Sequence, residues 1–240
     1  MRINKFGQPV GDAVAGWTVR PRPSRTAIEG RWCRVEPVDV NRHAVDLFEA
    51  NQEDPDGRNW TYLSVDAPPD LNAYRSWLTS ASAGDDPLFH AIVETDTFKA
   101  IGVAAYLRID GANGVIEVGH INYSPALQQT TAATEAMFLM MRRAFDELGY
   151  RRYEWKCDSL NDASCRAAER LGFNFEGVFE QALVTKGRNR DTAWFSVTDQ
   201  EWPARRAVFE RWLALSNFDD EGQQRTSLAS LMRPLRRHPE

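Results

Sequence analysis

The stretch that most restricts the fold of this chain is residues 124–150, SPALQQTTAATEAMFLMMRRAFDELGY. It begins as a turn at Pro125 and continues as a helix, which places Met137 and Met141 on one face and stops at Gly149. A strand-like run, GVIEVGHINYS, leads directly into the turn. The methionine face of this helix predicts that the helix packs on the core.

The rest of the sequence supplies further strands and helices around this unit. Two more strand-like runs precede it, and the turn residues DTF and DGANG predict an antiparallel meander of three strands. A strand and a helix with Asn41 as N-cap come before the meander; a strand, a helix capped by Asn161 and a hairpin at Gly187 follow it. A last helix begins at Pro203 and leads into a polar tail. In chain order, the other predicted segments are RWCRVEPVDV, NRHAVDLFEAN, LNAYRSWLTSA, PLFHAIVET, KAIGVAAYLRI, YRRYEWKCD, NDASCRAAERLGF, FNFEGVFEQALVTK and RDTAWFSVTD.

Proline and glycine divide the chain into three parts. The prolines and glycines near the N-terminus exclude long regular elements, so we expect an extended arm laid over the core. We predict an arm at 1–30, one domain at 31–202, and a C-terminal helix with a polar tail at 203–240. The apolar face of the last helix leaves two arrangements open: packing on its own core, or on a second copy of the chain in a homodimer.

Charge, cysteine and histidine content exclude several functional classes. The net charge is −5 and the isoelectric point about 5.5, which predicts no nucleic-acid partner. No apolar run reaches the ~18 to 20 residues needed to cross a bilayer, and the N-terminus lacks a signal-peptide core, so we expect a cytoplasmic protein without a membrane partner. Three cysteines without paired spacing and four histidines without metal-ligand spacing favour neither a disulfide framework nor a metal site.

Two segments carry a specific resemblance to a known family. EVGHINYSPALQQTTAATEAMFLMM is similar to the acetyl-CoA motif of the GCN5-related N-acetyltransferases (GNAT), a strand ending in a turn of the form Q/R-x-x-G-x-G/A. NDASCRAAERLGFNFEG resembles the corresponding segment of the branch similar to the ribosomal-protein-alanine N-acetyltransferases. With the order of elements, the resemblance covers roughly residues 30–202. It implies the α+β (mixed α/β) GNAT fold, a mostly antiparallel twisted sheet flanked by helices, here with an N-terminal arm and an added C-terminal helix.

The resemblance implies an enzyme that moves an acetyl group from acetyl-CoA, its cosubstrate, directly to a primary amine of a small molecule or a peptide N-terminus. Gln128 takes the first motif position, Thr131 stands where glycine is customary, and Ala133 takes the last. The first turn of a helix leaves N–H groups unpaired and, with the helix dipole, forms an anion site. For this turn alone, the alternative is a capped core helix with nothing bound. The residues assigned to acetyl-CoA are Ile121, Asn122, Tyr123, Gln128, Gln129, Thr130, Thr131, Ala132, Ala133, Thr134 and Asn161.

Glu117 and Ser164 are the catalytic residues that the resemblance implies. Glu117 matches a carboxylate that serves as base in the similar branch, often through water; its alternative is an exposed cross-strand partner of an arginine. His120 is the second candidate base, and on a regular strand it points away from Glu117. Ser164 matches the serine expected to protonate the departing thiolate; its alternative is local chemistry at a helix start. Cys157 and Cys165 are expected to be buried thiols, which favours direct transfer over an acyl-cysteine route.

The acceptor amine is expected to enter between an aromatic loop and the final hairpin. Trp60 and Tyr62 in the loop either line the cleft or fill the core, and the charged hairpin suits an amine with an aromatic or anionic portion. Two other functions stay open: a non-catalytic acyl-CoA sensor or scaffold with the same fold, and an interaction module that binds no coenzyme A. The predicted substrate-binding residues are Trp60, Tyr62, His120, Trp155 and Arg190.

Overall fold

The computed structural model describes residues 2–235, which form an eight-stranded sheet and a separate two-stranded ribbon. His238 and the end of the predicted polar tail lie outside the described residues. The ribbon is β1 paired with β2, and the main sheet has the order β3-β4-β5-β6-β7-β8-β10-β9. The strands are β1 (Arg2–Ile3), β2 (Pro9–Val10), β3 (Ile28–Glu29), β4 (Cys33–Pro37), β5 (Leu88–Glu94), β6 (Ala100–Asp110), β7 (Val115–Tyr123), β8 (Arg152–Asp158), β9 (Asn174–Thr185) and β10 (Arg188–Thr198).

The main sheet is antiparallel except at one central pair. The meander β5-β6-β7 is confirmed, and β7 and β8 are the parallel pair. These two strands pair only from Val115 opposite Arg152 to Val118 opposite Trp155. Beyond that point β7 continues beside β6, and β8 continues beside β10. The two strands therefore diverge at the centre of the sheet.

Helices cover both faces of the sheet, which confirms the predicted mixed α/β fold. On one face, α1 and α2 enclose a core that contains Leu47, Tyr74 and Phe89. On the other face, a larger core that includes Met140 and Phe209 joins α3 and α5 to the sheet. The helices are α1 (Val40–Asn51), α2 (Leu71–Ser82), α3 (Thr131–Arg142, continued by a π-helical turn at Arg143–Glu147), α4 (Asp162–Arg170), α5 (Trp202–Trp212) and α6 (Leu228–Met232).

Local sequence signals explain where two of these helices begin and end. α1 is capped by Asp39, whose carboxylate accepts the N–H groups of Asn41 and Arg42, so the predicted cap at Asn41 is wrong. Asp39 holds the extended backbone that an N-cap requires, and its charge also complements the helix dipole. The predicted cap of α4 is confirmed, because Asn161 Oδ1 accepts the N–H of Ser164 at 3.1 Å.

The segments at the two ends of the chain pack on the domain. Trp17 Nε1 donates to the carbonyl of Ala112 at 2.8 Å, which fixes the N-terminal arm to the turn between β6 and β7. At the other end, α6 buries Leu228 and Met232 completely. A polar tail was predicted there, and this is wrong for residues 228–232, because two apolar residues one helical turn apart face the core. No helix within residues 2–235 is long and apolar enough to span a membrane.

Candidate active site

The divergence of β7 and β8 opens a cavity of about 180 Å³. β7 forms one wall, β8 and the start of α4 form the other, and the loop after α1 and the hairpin β9–β10 contribute the rim. Besides the predicted residues, the lining includes Asn59, Arg108, Lys156 and Cys157. The predicted site residues that line it are Tyr62, Glu117, His120, Ile121, Trp155, Asn161, Ser164 and Arg190.

A β-bulge in β7 brings Glu117 and His120 to the same cavity. His120 and Ile121 together stand opposite the single residue Ala104 of β6. His120 has a φ of +48° at this point. Its ring lies 5.1 Å from that of Phe89, centroid to centroid, on the sheet face covered by α1 and α2. The prediction that His120 points away from Glu117 is therefore wrong, because side-chain alternation fails across a bulge.

Glu117 is held by two cations. Both of its oxygens accept from Nη1 of Arg108 at 2.7 Å, and Nζ of Lys156 lies 2.9 Å from Oε2. Lys156 also pairs with Glu154 at 2.7 Å and lies 3.8 Å from the ring centroid of Trp194. Glu117 is only 3% exposed. The arginine pairing that the sequence left open is thus present, in a buried rather than an exposed form, and the role of Glu117 as a base stays a prediction.

His120 is a titratable group of the cavity without a fixed partner. Neither ring nitrogen is hydrogen-bonded to any group of the part of the chain that the structure describes. Burial lowers the pKa of the imidazole, and the positive charges of Arg108 and Arg190 lower this pKa further. The ring is therefore neutral at pH 7, and its free lone pair can accept a proton.

Ser164 faces the cavity from the opposite wall, at the start of α4. Its Oγ accepts the Nε1–H of Trp155 at 3.0 Å. An indole N–H only donates, so the hydroxyl proton of Ser164 is available to another acceptor. Burial raises the pKa of the Cys157 thiol to about 12, and Sγ of Cys165 lies 3.6 Å away as a second free thiol. Cys157 is therefore a thiol, not a thiolate, at neutral pH.

The polar turn before α3 leaves main-chain donors unpaired. Thr130 is the N-cap, and its Oγ1 accepts the N–H of Ala133 at 3.1 Å. The N–H groups of Gln129, Thr131 and Ala132 donate to no group among residues 2–235. The left-handed conformation of this turn falls on Gln129, with a φ of +62°, whereas Thr131 is helical. The position where the family pattern has glycine thus needs no glycine in this chain.

Two side chains fasten this turn to the end of β7 and to the cavity. Nε2 of Gln128 donates to Oδ1 of Asn59 and to the carbonyl of Tyr123, both at 2.9 Å. Asn59 also lines the cavity, so the turn and the cavity share one residue. Asn122, also at the end of β7, is 2% exposed, and neither polar atom of its side chain has a partner within the described residues. By contrast, the hydroxyl of Thr134 accepts from both terminal nitrogens of Arg170 at 3.1 Å.

Trp60 is a predicted site residue that does not line the cavity. It is 3% exposed and packs edge-on against Tyr74 and Trp77, so its assignment as a substrate contact is wrong and it fills the core. Tyr62 stays at the rim, where its hydroxyl donates to the carbonyl of Leu160 at 3.1 Å. The indole of Trp60 is large and apolar, and the core under α2 removes it from water.

Asn59, Arg108 and Lys156 line the cavity but were not predicted from the sequence. Arg108 and Lys156 lie on the strands that flank Glu117, so only the strand order identifies them as its partners. Asn59 lies in a loop rich in proline and glycine, where no periodic pattern marks a contact with the distant Gln128. The one available signal was the alternation of Glu154 and Lys156 along β8, which indicates a charged sheet face.

Comparison with known proteins gives one consistent assignment. The family model described as acetyltransferase (GNAT) domain matches residues 34–174. The crystal structure of a GCN5-related N-acetyltransferase from Brucella melitensis is 48% identical, with a TM-score of 0.89 over 92% of this chain and 100% of that one. The prophage-derived N-acetyltransferase YokL of Bacillus subtilis is 29% identical over 139 residues, 58% of this chain and 77% of YokL. The ribosomal-protein acetyltransferase RimL shares the fold at 18% identity, with a TM-score of 0.61 over 72% of this chain and 93% of its own.

Proposed function

Because this chain belongs to the GNAT family of acetyltransferases, we propose that it transfers the acetyl group of acetyl-CoA directly to a primary amine of a small molecule or of a peptide N-terminus. The observation that carries the proposal is the set of main-chain N–H groups at Gln129, Thr131 and Ala132, which have no acceptor among the residues described. They lie at the start of a twelve-residue helix, and Asn59 joins their turn to the cavity between β7 and β8.

These donors fit a pyrophosphate. N–H groups at a helix N-terminus bind anions through hydrogen bonds and through the helix dipole, and they do so without regard to the side chains. The residues that would hold acetyl-CoA are the turn at 128–134, for the pyrophosphate, and Ile121, Asn122 and Tyr123 with Asn161, for the pantetheine arm. When bound, acetyl-CoA would supply an activated thioester carbonyl and a thiolate leaving group.

The bulged part of β7 is suited to stabilise negative charge on the carbonyl oxygen. From Gly119 to Tyr123, β7 has β6 on one side and, among the described residues, no paired strand on the other. Main-chain N–H groups directed to the open side can donate to the oxyanion of the tetrahedral intermediate. Loss of one donor of this kind typically slows a reaction by about 100-fold or more.

The acceptor must lose its ammonium proton before it attacks the carbonyl. We place the general base at His120, whose neutral ring has no competing partner within residues 2–235, in preference to Glu117. The oxygens of Glu117 already accept from Arg108 and Lys156, so this carboxylate is better suited to orient the ammonium group. Glu117 acting as base through a water is the alternative, and a pH profile separates the two.

Ser164 is the proposed acid for the departing thiolate. Its oxygen is fixed by Trp155, so its hydroxyl proton can be donated to the sulfur of the leaving group. The raised pKa of Cys157 leaves little thiolate for nucleophilic attack. Direct transfer to the amine is therefore preferred to a route through an acetyl-cysteine.

Calorimetry and a thiol-release assay test the proposal in two steps. We expect acetyl-CoA to bind the purified chain with a Kd below about 1 mM and to release free thiol with at least one member of a panel of primary amines. Binding without turnover of any amine supports an acyl-CoA sensor instead. Absence of binding heat at millimolar acetyl-CoA rejects both readings and favours an interaction module.

A further inference from the structure

Arg190 is a cation of the cavity that has no counter-ion in the part of the chain that the structure describes. It lies on β10, lines the cavity, and has a half-buried side chain whose Nε atom is fully buried. No group of residues 2–235 accepts a hydrogen bond from its guanidinium or forms an ion pair with it. A buried charged donor normally has an acceptor, because leaving it without one lowers stability. An unpaired guanidinium at the wall of a binding cavity therefore points to an acceptor on the ligand.

The other cations around the cavity are already compensated. Arg108 and Lys156 share Glu117, and Lys186 at the end of the hairpin lies 2.9 Å from Asp66. The three cationic side chains that line the cavity are Arg108, Lys156 and Arg190, and within the described residues the first two have carboxylate partners. His120 adds no charge while its ring is neutral. The unpaired cation is therefore Arg190.

We propose that Arg190 binds a carboxylate of the acceptor, so that the substrate is a small amine that also carries a carboxylate, of about the size of an amino acid. A guanidinium offers parallel N–H donors that match the two oxygens of a carboxylate. A single unpaired guanidinium fits a monoanion better than a phosphate dianion. The volume of about 180 Å³ lies below the ~300 to 1,000 Å³ usual for drug-sized ligands, which favours a small acceptor.

The place of Arg190 is consistent with the proposed chemistry, on which this inference rests. The charges of Arg190 and Arg108 both lower the pKa of His120, so Arg190 lies near the proposed base. An acceptor held by its carboxylate at Arg190 would present its amine to His120 and Glu117. Ser164, the proposed acid for the thiolate, lies on the opposite wall.

The test compares free L-amino acids with their carboxamides as acceptors, in the wild type and in Arg190→Gln and Arg188→Gln. Arg188 is a matched control, because it lies two residues away on the same strand, is exposed, and does not line the cavity. We expect the ratio of kcat/KM for acid over amide to fall roughly 10- to 100-fold in Arg190→Gln, mainly through the KM of the acid. Arg188→Gln keeps the wild-type ratio. The amino groups of an amino acid and of its carboxamide differ in basicity. This difference cancels, because the acid-over-amide ratio of one variant is compared with that of another.

A binding measurement without turnover distinguishes failure of this inference from failure of the proposed function. N-acetyl-L-amino acids and N-acetyl-L-amino acid amides are titrated into each variant, with far-UV circular dichroism to check folding. If the acids bind in a way that depends on Arg190 but no amine is acetylated, the carboxylate site is supported and the acetyltransferase proposal is rejected. Equal binding of acids in wild type and Arg190→Gln overturns the inference, as does a raised KM for acetyl-CoA alone or a preference for aminophosphonates over amino acids. Arg190→Lys keeps the charge but loses the paired N–H donors of the guanidinium. We expect its preference for acids over amides to lie between those of the wild type and Arg190→Gln.

Discussion

The hydroxyl of Ser164 has the geometry of a group that can release a proton to a neighbour. Its oxygen accepts the Trp155 N–H, which leaves the hydroxyl proton for another acceptor. We expect Ser164→Ala to lower kcat by about 100-fold, the low end for general acid catalysis, with little change in the Kd of acetyl-CoA. Ser76→Ala is the control, since Ser76 Oγ donates to the carbonyl of Asn72 on α2 and lies outside the cavity. Wild-type kcat in Ser164→Ala would assign protonation of the thiolate to solvent.

His120 carries the second prediction at the scale of single residues. Burial, then Arg108 and Arg190, lower its pKa, so the ring gains its proton only below its usual pKa of about 6.5. As a base, His120 therefore loses activity as the pH falls through that lowered pKa. We expect kcat/KM of the wild type to show this acidic limb, and His120→Gln to lose both the limb and about 100-fold of the rate at pH 7.

The outcome for Glu117→Gln decides between the two candidate bases. If His120 is the base, Glu117→Gln keeps the acidic limb and is impaired mainly in the KM of the acceptor. Loss of the limb in Glu117→Gln, with the limb retained in His120→Gln, assigns the base to Glu117. Ionisation of the acceptor amine adds a limb at higher pH that all variants share, so this limb does not interfere.

At the scale of elements, the start of α3 offers a way to delete one main-chain donor. Proline is tolerated at the first position of a helix, and the preceding residue, Thr130, already has the extended backbone that proline requires of its neighbour. Thr131→Pro removes an N–H that has no partner among residues 2–235, so no internal hydrogen bond is lost. We expect about a tenfold higher Kd for acetyl-CoA by calorimetry and an unchanged urea midpoint.

Thr131→Gly is the matched control, because it keeps the N–H and restores the residue of the family pattern. The helical dihedrals of Thr131 gain nothing from glycine, so we expect a Kd within about threefold of the wild type and a stability loss of about 0.5–1 kcal/mol. If Thr131→Pro binds as tightly as Thr131→Gly, the main-chain donor at this position does not contact the pyrophosphate.

Most strands and helices could be predicted from the sequence, because each follows from local hydrophobic periodicity and from the turn and cap residues at its ends. The meander, the strand before α4 and its cap at Asn161 depend on residues close together in the chain. The wrong predictions concern side chains whose position is set by packing between distant parts of the chain. The bulge at His120 reverses a side chain directly after Gly119, and this interior glycine is the one local sign of a bulge. Trp60 packs against α2 in the core. The partners of Glu117 depend on strand order, which no local pattern specifies.

For the molecule as a whole, His90 links stability to pH. It is fully buried between the two layers of helices, its Nδ1 lies 3.1 Å from the carbonyl of Leu88, and burial lowers its pKa to about 4. The pKa of His90 in the folded state lies below its unfolded value near 6.5. The neutral ring therefore makes its full contribution to stability above about pH 6.5, and this contribution is lost as the pH falls toward 4. Between pH 7 and about pH 4.5, we expect the wild type to lose about 2 kcal/mol more unfolding free energy than His90→Phe. His90→Phe keeps a ring against Tyr106, and equal losses in urea titrations would contradict the prediction.

The C-terminal segment, at the end of the described part of the chain, supports one wall of the site. Leu228 and Met232 of α6 are fully buried, and Met232 packs against Gly172 just after α4, the helix that presents Ser164 to the cavity. Leu228→Ala removes a buried side chain far from the cavity, so we expect it to lower the free energy of unfolding by about 3 kcal/mol in urea titrations. Leu215→Ala is the control: Leu215 is 63% exposed in the same segment, and its loss is expected to stay within about 0.5 kcal/mol. Because the segment supports α4, we also expect Leu228→Ala to lose acetyl-transfer activity at a lower temperature than Leu215→Ala. Equal unfolding free energies for the two variants would show that α6 does not stabilise the domain.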